Sequence, residues 1–261
     1  MTLVLETHAL VKRFGGITAT NQVSLRVETG ARHALIGPNG AGKTTLINLL
    51  TGVLEPTSGR ISLDGRDITR LPPHQRVRRG IVRTFQIDQL FNELTPLQTL
   101  ALAVSNRLGI GTRWWQPLGR DPRVAPACEA LLGKFRLDDV MDRKVAVLPY
   151  GKRRLLEIAT AIACQPRVLL LDEPVAGVPE GERQDIFETI NALPAEVSVL
   201  LIEHDMDLVF NFARTVSVLV NGAVFAEGDV QTISNDPRVK AVYLGHGTDA
   251  PPDAASGGAH G

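Results

Sequence analysis

Residues 34–45, Ala-Leu-Ile-Gly-Pro-Asn-Gly-Ala-Gly-Lys-Thr-Thr, constrain the fold more tightly than any other part of the chain. Ala34, Leu35 and Ile36 form a continuous apolar run, as expected for a strand buried on both faces of a parallel sheet. The pattern G-x-x-x-x-G-K-[ST] follows from Gly37 to Thr44, and Leu46 to Leu50 continue as an apolar helical run. Strand, glycine-rich turn and helix in that order form the context in which this pattern cradles phosphate. Gly37, Pro38, Asn39, Gly40, Ala41 and Gly42 make the turn, whose glycines let backbone N–H groups converge on phosphate oxygens. The helix N-terminus at Thr44 and Thr45 adds positive potential. Lys43 is placed to reach the β- and γ-phosphates and Thr44 to ligate Mg²⁺. The loop specifies nucleoside triphosphate binding but no reaction, because kinases, GTPases and DNA-repair ATPases all use it.

A second strand signal narrows the chemistry. Val168 to Leu171 are apolar and end in Asp172-Glu173, the pattern of a Walker B segment. Asp172 is expected to hold Mg²⁺ directly or through water, and Glu173 to orient and deprotonate the attacking water. A glutamate with a reference pKa of about 4.3 is already ionised at neutral pH, so position matters more than basicity. A third apolar run, Val199 to Ile202, ends in Glu203-His204-Asp205, which places His204 to sense a γ-phosphate through a hydrogen bond.

The remaining organisation follows from periodicity. Leu3 to Leu10 and Val23 to Val27 alternate as antiparallel strands, and Asp64-Gly65 is a hairpin signal between Ile61-Ser62-Leu63 and Arg66-Asp67-Ile68. Asn221-Gly222 likewise joins Val216–Val220 to Val224–Ala226. From about Asp88 to Gln165 apolar residues recur at helical spacing, interrupted by a Gly- and Pro-rich insert at Gly109 to Pro126 that carries Trp114-Trp115. The fold class is therefore α/β, a phosphate-loop (RecA-like) mixed sheet core with an antiparallel β subdomain and an inserted helical subdomain. The core takes residues 1–87 and 166–245, the helical subdomain 88–165, and the tail 246–261 is expected to be disordered.

Lys plus Arg and Asp plus Glu balance at 28 each in 261 residues, which removes the footprint of a protein that binds nucleic acid mainly through phosphates. Arg76, Arg78 and Arg79 with Lys152, Arg153 and Arg154 form a basic cluster read as solvated helix faces. Cys128 and Cys164 suit neither a disulfide scaffold nor a zinc site and read as buried or idle thiols. Glu6 and His8 break the opening apolar stretch, so it lacks the pattern of a signal peptide, and no run of 18 apolar residues spans a bilayer. The expected location is the cytoplasm, with any membrane role supplied by partners.

With these motifs in this order, residues 3–245 resemble the ATP-binding cassette (ABC) ATPases. The specific marker is Leu148-Pro149-Tyr150-Gly151-Lys152 followed by a helix, similar to that family's signature loop, LSGGQ in its commonest form. The resemblance implies that Gly151 contacts the γ-phosphate held by the opposite subunit, that ATP and Mg²⁺ are the cofactors, and that the working unit is a head-to-tail dimer. It further implies that Phe14 stacks on adenine and that Gln86, in Arg83-Thr84-Phe85-Gln86, contacts Mg²⁺ or water. His204 takes the place of the switch histidine. Pro149 replaces the usual serine, Tyr150 a glycine, and Pro179 a common aspartate in the loop after Glu173.

A narrower resemblance is to the ATP-binding subunits of branched-chain amino acid importers, carried by Phe14-Gly15-Gly16, Val82 to Gln86 with Leu90-Phe91, Leu148-Pro149-Tyr150-Gly151, Ala176-Gly177 and Tyr243-Leu244-Gly245. It implies an ATPase on the cytoplasmic face of the plasma membrane that drives transmembrane permease subunits and, indirectly, a periplasmic or extracellular binding protein. The alternatives are an exporter ATPase of the lipopolysaccharide-transport kind and a DNA-associated cassette protein. The second usually separates phosphate loop and signature by long coiled coils, for which the stretch from Lys43 to Gly151 is too short.

Overall fold

The computed structural model describes residues 2–84, 90–110 and 121–244, so Trp114, Trp115 and the tail 246–261 lie outside the described residues. In chain order, β1 (Leu3–Phe14), β2 (Ile17–Val23) and β3 (Arg26–Glu28) precede β4 (Arg32–Ile36), which leads through the phosphate loop into α1 (Lys43–Thr51). Strands β5 (Ser58–Leu63) and β6 (Arg66–Asp67) form a hairpin, and α2 (Pro73–Arg78) leads to β7 (Ile81–Arg83). Three helices follow, α3 (Pro96–Arg107), α4 (Val124–Lys134) and α5 (Tyr150–Ala163). The chain then alternates through β8 (Val168–Asp172), α6 (Glu180–Asn191), β9 (Ser198–Ile202) and α7 (Met206–Phe212). It closes with β10 (Thr215–Val220), β11 (Ala223–Gly228), α8 (Val230–Asn235) and α9 (Pro237–Leu244).

Two sheets result. One has the order β2-β1-β5-β6 with β3 also on β1, and the other β11-β10-β4-β9-β8-β7. In the second sheet every neighbouring pair from β10 to β7 is parallel, and β11 alone runs antiparallel at the edge. The three continuous apolar runs are its interior strands β4, β8 and β9. Their residues alternate between two cores, as a pleated strand buried on both faces requires. Leu169 and Leu171 pack with Leu100, Leu132, Leu156 and Ile162 of the helical segment. Leu170 and Leu200 face Leu46, Ile47 and Leu50 of α1 and, beyond them, Leu5 and Val27 of the antiparallel sheet. Both hairpin signals hold, with Asp64 and Gly65 at φ 48° and 71° and Asn221 and Gly222 at 49° and 78°, the left-handed pairs that a two-residue turn needs.

Two expectations change. Val23 to Val27 is not one strand: Val23 ends β2, and β3 begins at Arg26. The Thr7 hydroxyl donates to the Val23 carbonyl at 2.9 Å and accepts from the Leu25 amide at 2.8 Å. That buried side chain satisfies both backbone groups at the bend where the chain changes partner, which alternation alone does not reveal. The basic cluster is only partly a set of solvated faces: Arg78 and Arg79 are exposed, but two of its arginines are buried. Arg76 is 1% exposed and Arg154 4% exposed.

Arg76 donates to the carbonyls of Leu49 and Leu50 at 2.5 and 2.8 Å, of Thr69 at 2.8 Å and of Leu71 at 2.9 Å. Leu49 and Leu50 belong to the last turn of α1, where carbonyls run short of helical partners, although that of Leu49 also accepts from the Gly52 amide at 3.3 Å. The guanidinium therefore caps the phosphate-loop helix from below, and burial lowers its pKa to about 10. Arg76→Met keeps most of the side-chain volume but strands these acceptors, each costing about 1–3 kcal/mol when left buried and unpaired. A loss of about 3 kcal/mol in urea unfolding is expected, and a loss below about 1 kcal/mol would show that the cap is not needed.

Candidate nucleotide site

In a parallel sheet all strands present their carboxyl ends on one side, and ligands collect there. Adjacent strands β4, β9, β8 and β7 deliver the phosphate loop, Glu203-His204, Asp172-Glu173 and Arg83-Thr84 to that edge. Gln86, the next expected member, lies outside the described residues.

The loop is shaped by close backbone approaches. Gly37 sits at φ 152°, and a Cβ there would lie 2.2 Å from the Leu219 carbonyl oxygen. Gly42 sits at φ 100°, and its Cβ would lie 2.3 Å from the Ala19 carbonyl oxygen of β2. Both positions exclude any side chain. The second contact also brings the β1–β2 hairpin, with Phe14 47% exposed at its tip, against the phosphate loop. No side chain caps the N-terminus of α1. Lys43 Nζ donates to the carbonyls of Gly37 and Pro38 at 2.6 and 3.0 Å. Burial pulls this ammonium below its ordinary pKa, while the charges of Glu173 and Asp172 oppose the shift. Thr44 is exposed in the first turn of α1 and Thr45 half-buried beside it.

The acids are held by an ion-pair network. Arg83 of β7 donates to Asp172 Oδ2 at 2.6 Å and to Asn48 Oδ1 of α1 at 2.8 Å, so Asp172 is tied to the phosphate-loop helix. Glu173 adopts φ 47°, a left-handed backbone uncommon for a residue with a side chain. Its amide donates to the Ile202 carbonyl at 2.9 Å, and its carbonyl accepts from Arg154 Nη2. The same guanidinium donates to the Pro174 carbonyl at 2.6 Å and pairs with Glu157 Oε2 at 2.5 Å. His204 Nδ1 lies 3.7 Å from Glu173 Oε1 and 3.7 Å from Glu203 Oε2. Glu203 is 1% exposed, accepts from the His204 amide at 3.1 Å, and is pushed up in pKa by burial.

Residues 20–176 match the ABC transporter family, and residues 223–249 match the branched-chain amino acid ATP-binding cassette transporter family. The chain belongs to the ABC transporter family. The high-affinity branched-chain amino acid transport ATP-binding protein BraF of Pseudomonas aeruginosa is 41% identical over 251 residues, 93% of this chain and 98% of BraF. The corresponding LivG protein of Escherichia coli K12 is 39% identical over the same shares. Among solved structures, a nucleotide-free ATP-binding cassette from an ABC transporter superposes with a TM-score of 0.81 at 33% identity, covering 93% of this chain and 99% of that one. The ADP conformation of MJ1267, an ATP-binding cassette of an ABC transporter, gives 0.81 at 33% identity, covering 94% and 100%.

In this ABC cassette the segment expected to be the signature loop lies at the start of α5, and it is not open. The Tyr150 hydroxyl donates to the Ala176 carbonyl at 2.9 Å. Gly151 is buried, and its amide donates to Glu182 Oε2 at 3.0 Å. Three residues that organise the site went unassigned in the sequence. Arg83 stood inside the Arg83-Thr84-Phe85-Gln86 motif without a role. Arg154 was grouped with surface charges, although an arginine amid Leu155, Leu156 and Ile158 on a buried helix was a usable signal. Glu182 gave none, because its partner Gly151 is distant in sequence.

Glu157 yields a test of this network. Burial pushes its carboxyl up to about 7 from 4.5, against the pull of Arg154. The folded chain therefore holds this proton to higher pH than the unfolded chain does. Its contribution favours folding at low pH and is lost as pH rises from about 4.5 through about 7. Relative to Glu157→Gln, the parent should lose urea midpoint between pH 5 and pH 8. A gap that stays constant over that range would contradict the shift.

Proposed function

We propose that this chain is the ATP-hydrolysing subunit of a membrane importer for branched-chain or related amino acids, working as a pair of cassettes on the cytoplasmic face of the membrane. The observation that carries this reading is the convergence of Lys43, Asp172, Glu173 and His204 at one sheet edge, in a chain whose relatives are amino acid transport ATP-binding proteins. Those relatives do not favour the exporter or the DNA-associated alternative.

The residues fit MgATP. Gly37 and Gly42 keep the loop close against neighbouring backbone, and α1 offers uncapped amides to phosphate oxygens. Lys43, now turned onto two carbonyls of its own loop, exchanges them for phosphate oxygens. Thr44 and Asp172 supply hard oxygen donors. Among the described residues no three His, Cys, Asp or Glu side chains form a metal cage, which suits an ion shared with substrate phosphates. When bound, Mg²⁺ supplies charge neutralisation at the phosphates. Glu173 accepts the proton of the attacking water, with His204 beside it, and Gln86 belongs to the same set. Phe14 stacks on the adenine.

Gly151 of one subunit completes the other subunit's site at the γ-phosphate. Charge-assisted hydrogen bonds contribute about 1.5–3 kcal/mol each, so a few per site reach the roughly 5.5 kcal/mol needed to swing a two-state balance. Residues 88–165 form the helical subdomain of this reading. No helix among the described residues is long and apolar enough to cross a membrane; in this reading separate permease subunits form the membrane path. A groove of about 380 Å³ lined by Val53, Val77, Leu90, Phe91 and Thr160 is their proposed seat. Arg83 also lines it, one ion pair from Asp172.

Lys43→Ala should abolish MgATP binding in an equilibrium titration. Glu173→Gln should cut ATP turnover by about 100-fold or more and accumulate an ATP-bound dimer by light scattering. Undiminished turnover in Glu173→Gln would remove Glu173 as the base.

A further inference from the structure

We infer that Glu182 is a further positioning residue of the ATPase: its carboxylate occupies the Gly151 amide of the signature loop, and the partner's γ-phosphate must displace it before the dimer closes. This rests on the proposed dimer reading and adds to it a step inside each separate subunit.

Glu182 Oε2 lies 3.0 Å from the Gly151 nitrogen, a good hydrogen-bond length from an amide in the first turn of the 14-residue helix α5. No side chain caps that helix at Pro149. The carboxylate therefore meets the positive end of α5 as a phosphate oxygen would. It packs so closely that a Cβ on Gly151 would lie 2.1 Å from Oε2, so any side chain there would push the carboxylate off the amide. Glu182 is placed by its own helix: its amide donates to the Pro179 carbonyl at 2.9 Å, which sets it in the first turn of α6, where an acid is favoured. Tyr150 fastens the same loop from the other side through its 2.9 Å bond to the Ala176 carbonyl.

One amide N–H serves one acceptor well. Two anions within a few ångströms of each other also repel, so Glu182 and a γ-phosphate exclude one another at Gly151. Glu182 is only half-buried, so its side chain has solvent to turn into when phosphate arrives. Each closed dimer displaces two such carboxylates, which raises the ATP concentration required for closure and keeps nucleotide-free subunits apart.

The test compares Glu173→Gln with the double variant Glu173→Gln/Glu182→Gln, using the full chain. Dimer formation is followed by light scattering across a MgATP titration, and thermal unfolding is run in parallel. The glutamine keeps an acceptor oxygen but lacks the charge. The expected result is a drop of about tenfold in the MgATP concentration at half-dimerisation. The direction separates the two possible roles, because losing a merely structural contact would loosen the loop and raise that concentration. An unchanged or raised midpoint, with the single variant dimerising normally, overturns the displacement step and leaves the dimer reading intact. If Glu173→Gln itself never dimerises with MgATP, the dimer reading falls and this inference falls with it.

Discussion

The left-handed backbone at Glu173 is the constraint on which the rest of the site depends. Continuing β8 in regular extended form would carry the chain past the sheet edge and send successive side chains to opposite faces. Instead the chain turns at φ 47°, a conformation that costs about 1–3 kcal/mol for a residue with a side chain. Two contacts offset that cost: the Ile202 carbonyl takes the Glu173 amide, and Arg154 takes the Glu173 carbonyl. The same guanidinium binds the Pro174 carbonyl, so the turn is fixed on both sides of its peptide plane. Arg154 lies one turn beyond Gly151 on α5. Helix α5 and the turn that carries Glu173 are thus joined by one buried side chain.

Burying charge is costly unless each charge is paired, and this region buries several. Arg154 and Glu157 are 4% and 5% exposed and form one pair, and Arg83 and Asp172 form the next. Each arginine also binds neutral oxygens, Arg83 that of Asn48 and Arg154 the three carbonyls after Leu171. Glu157 is less well served: its Oε1 is buried without a hydrogen-bond partner among the described residues, and burial raises its carboxyl pKa. Asp172 keeps Oδ2 on Arg83, so in the proposed site Oδ1 is the oxygen that would face Mg²⁺. The network holds the acid in place without saturating it.

How much of this was legible depended on whether the signal was local. The phosphate loop, the Asp172-Glu173 strand end and the two hairpins were readable because each is a short run whose residue types have one backbone use. Why Gly37 and Gly42 must be glycine is a tertiary matter the pattern does not show: the Leu219 and Ala19 carbonyls leave no room for a Cβ. The break between β2 and β3 was not readable, because a Thr7 side chain from another strand satisfies it. The short strand β7 was missed for a related reason: three residues at a sheet edge give no periodicity. Arg76 and Arg154 looked like surface charge because composition does not distinguish a solvated arginine from one that caps a helix or clasps a turn. Their roles exist only in the folded contacts.

The departures from the commonest signature and following loop, when taken singly, look like losses: Pro149 lacks a serine hydroxyl, Tyr150 fills the place of a glycine, and Pro179 lacks a carboxylate. In the fold the second and third belong to one set of contacts around α5 and α6. Tyr150 reaches the Ala176 carbonyl, and this requires Gly177 at φ 72°, where a Cβ would lie 2.9 Å from the tyrosine hydroxyl. Pro179 adopts φ −53°, the value its ring fixes, and starts α6 so that Glu182 falls beneath Gly151. In the proposed dimer, the side-chain contact a serine would make to an incoming phosphate falls to backbone amides, and the inferred role of Glu182 is to cover one of them until phosphate arrives.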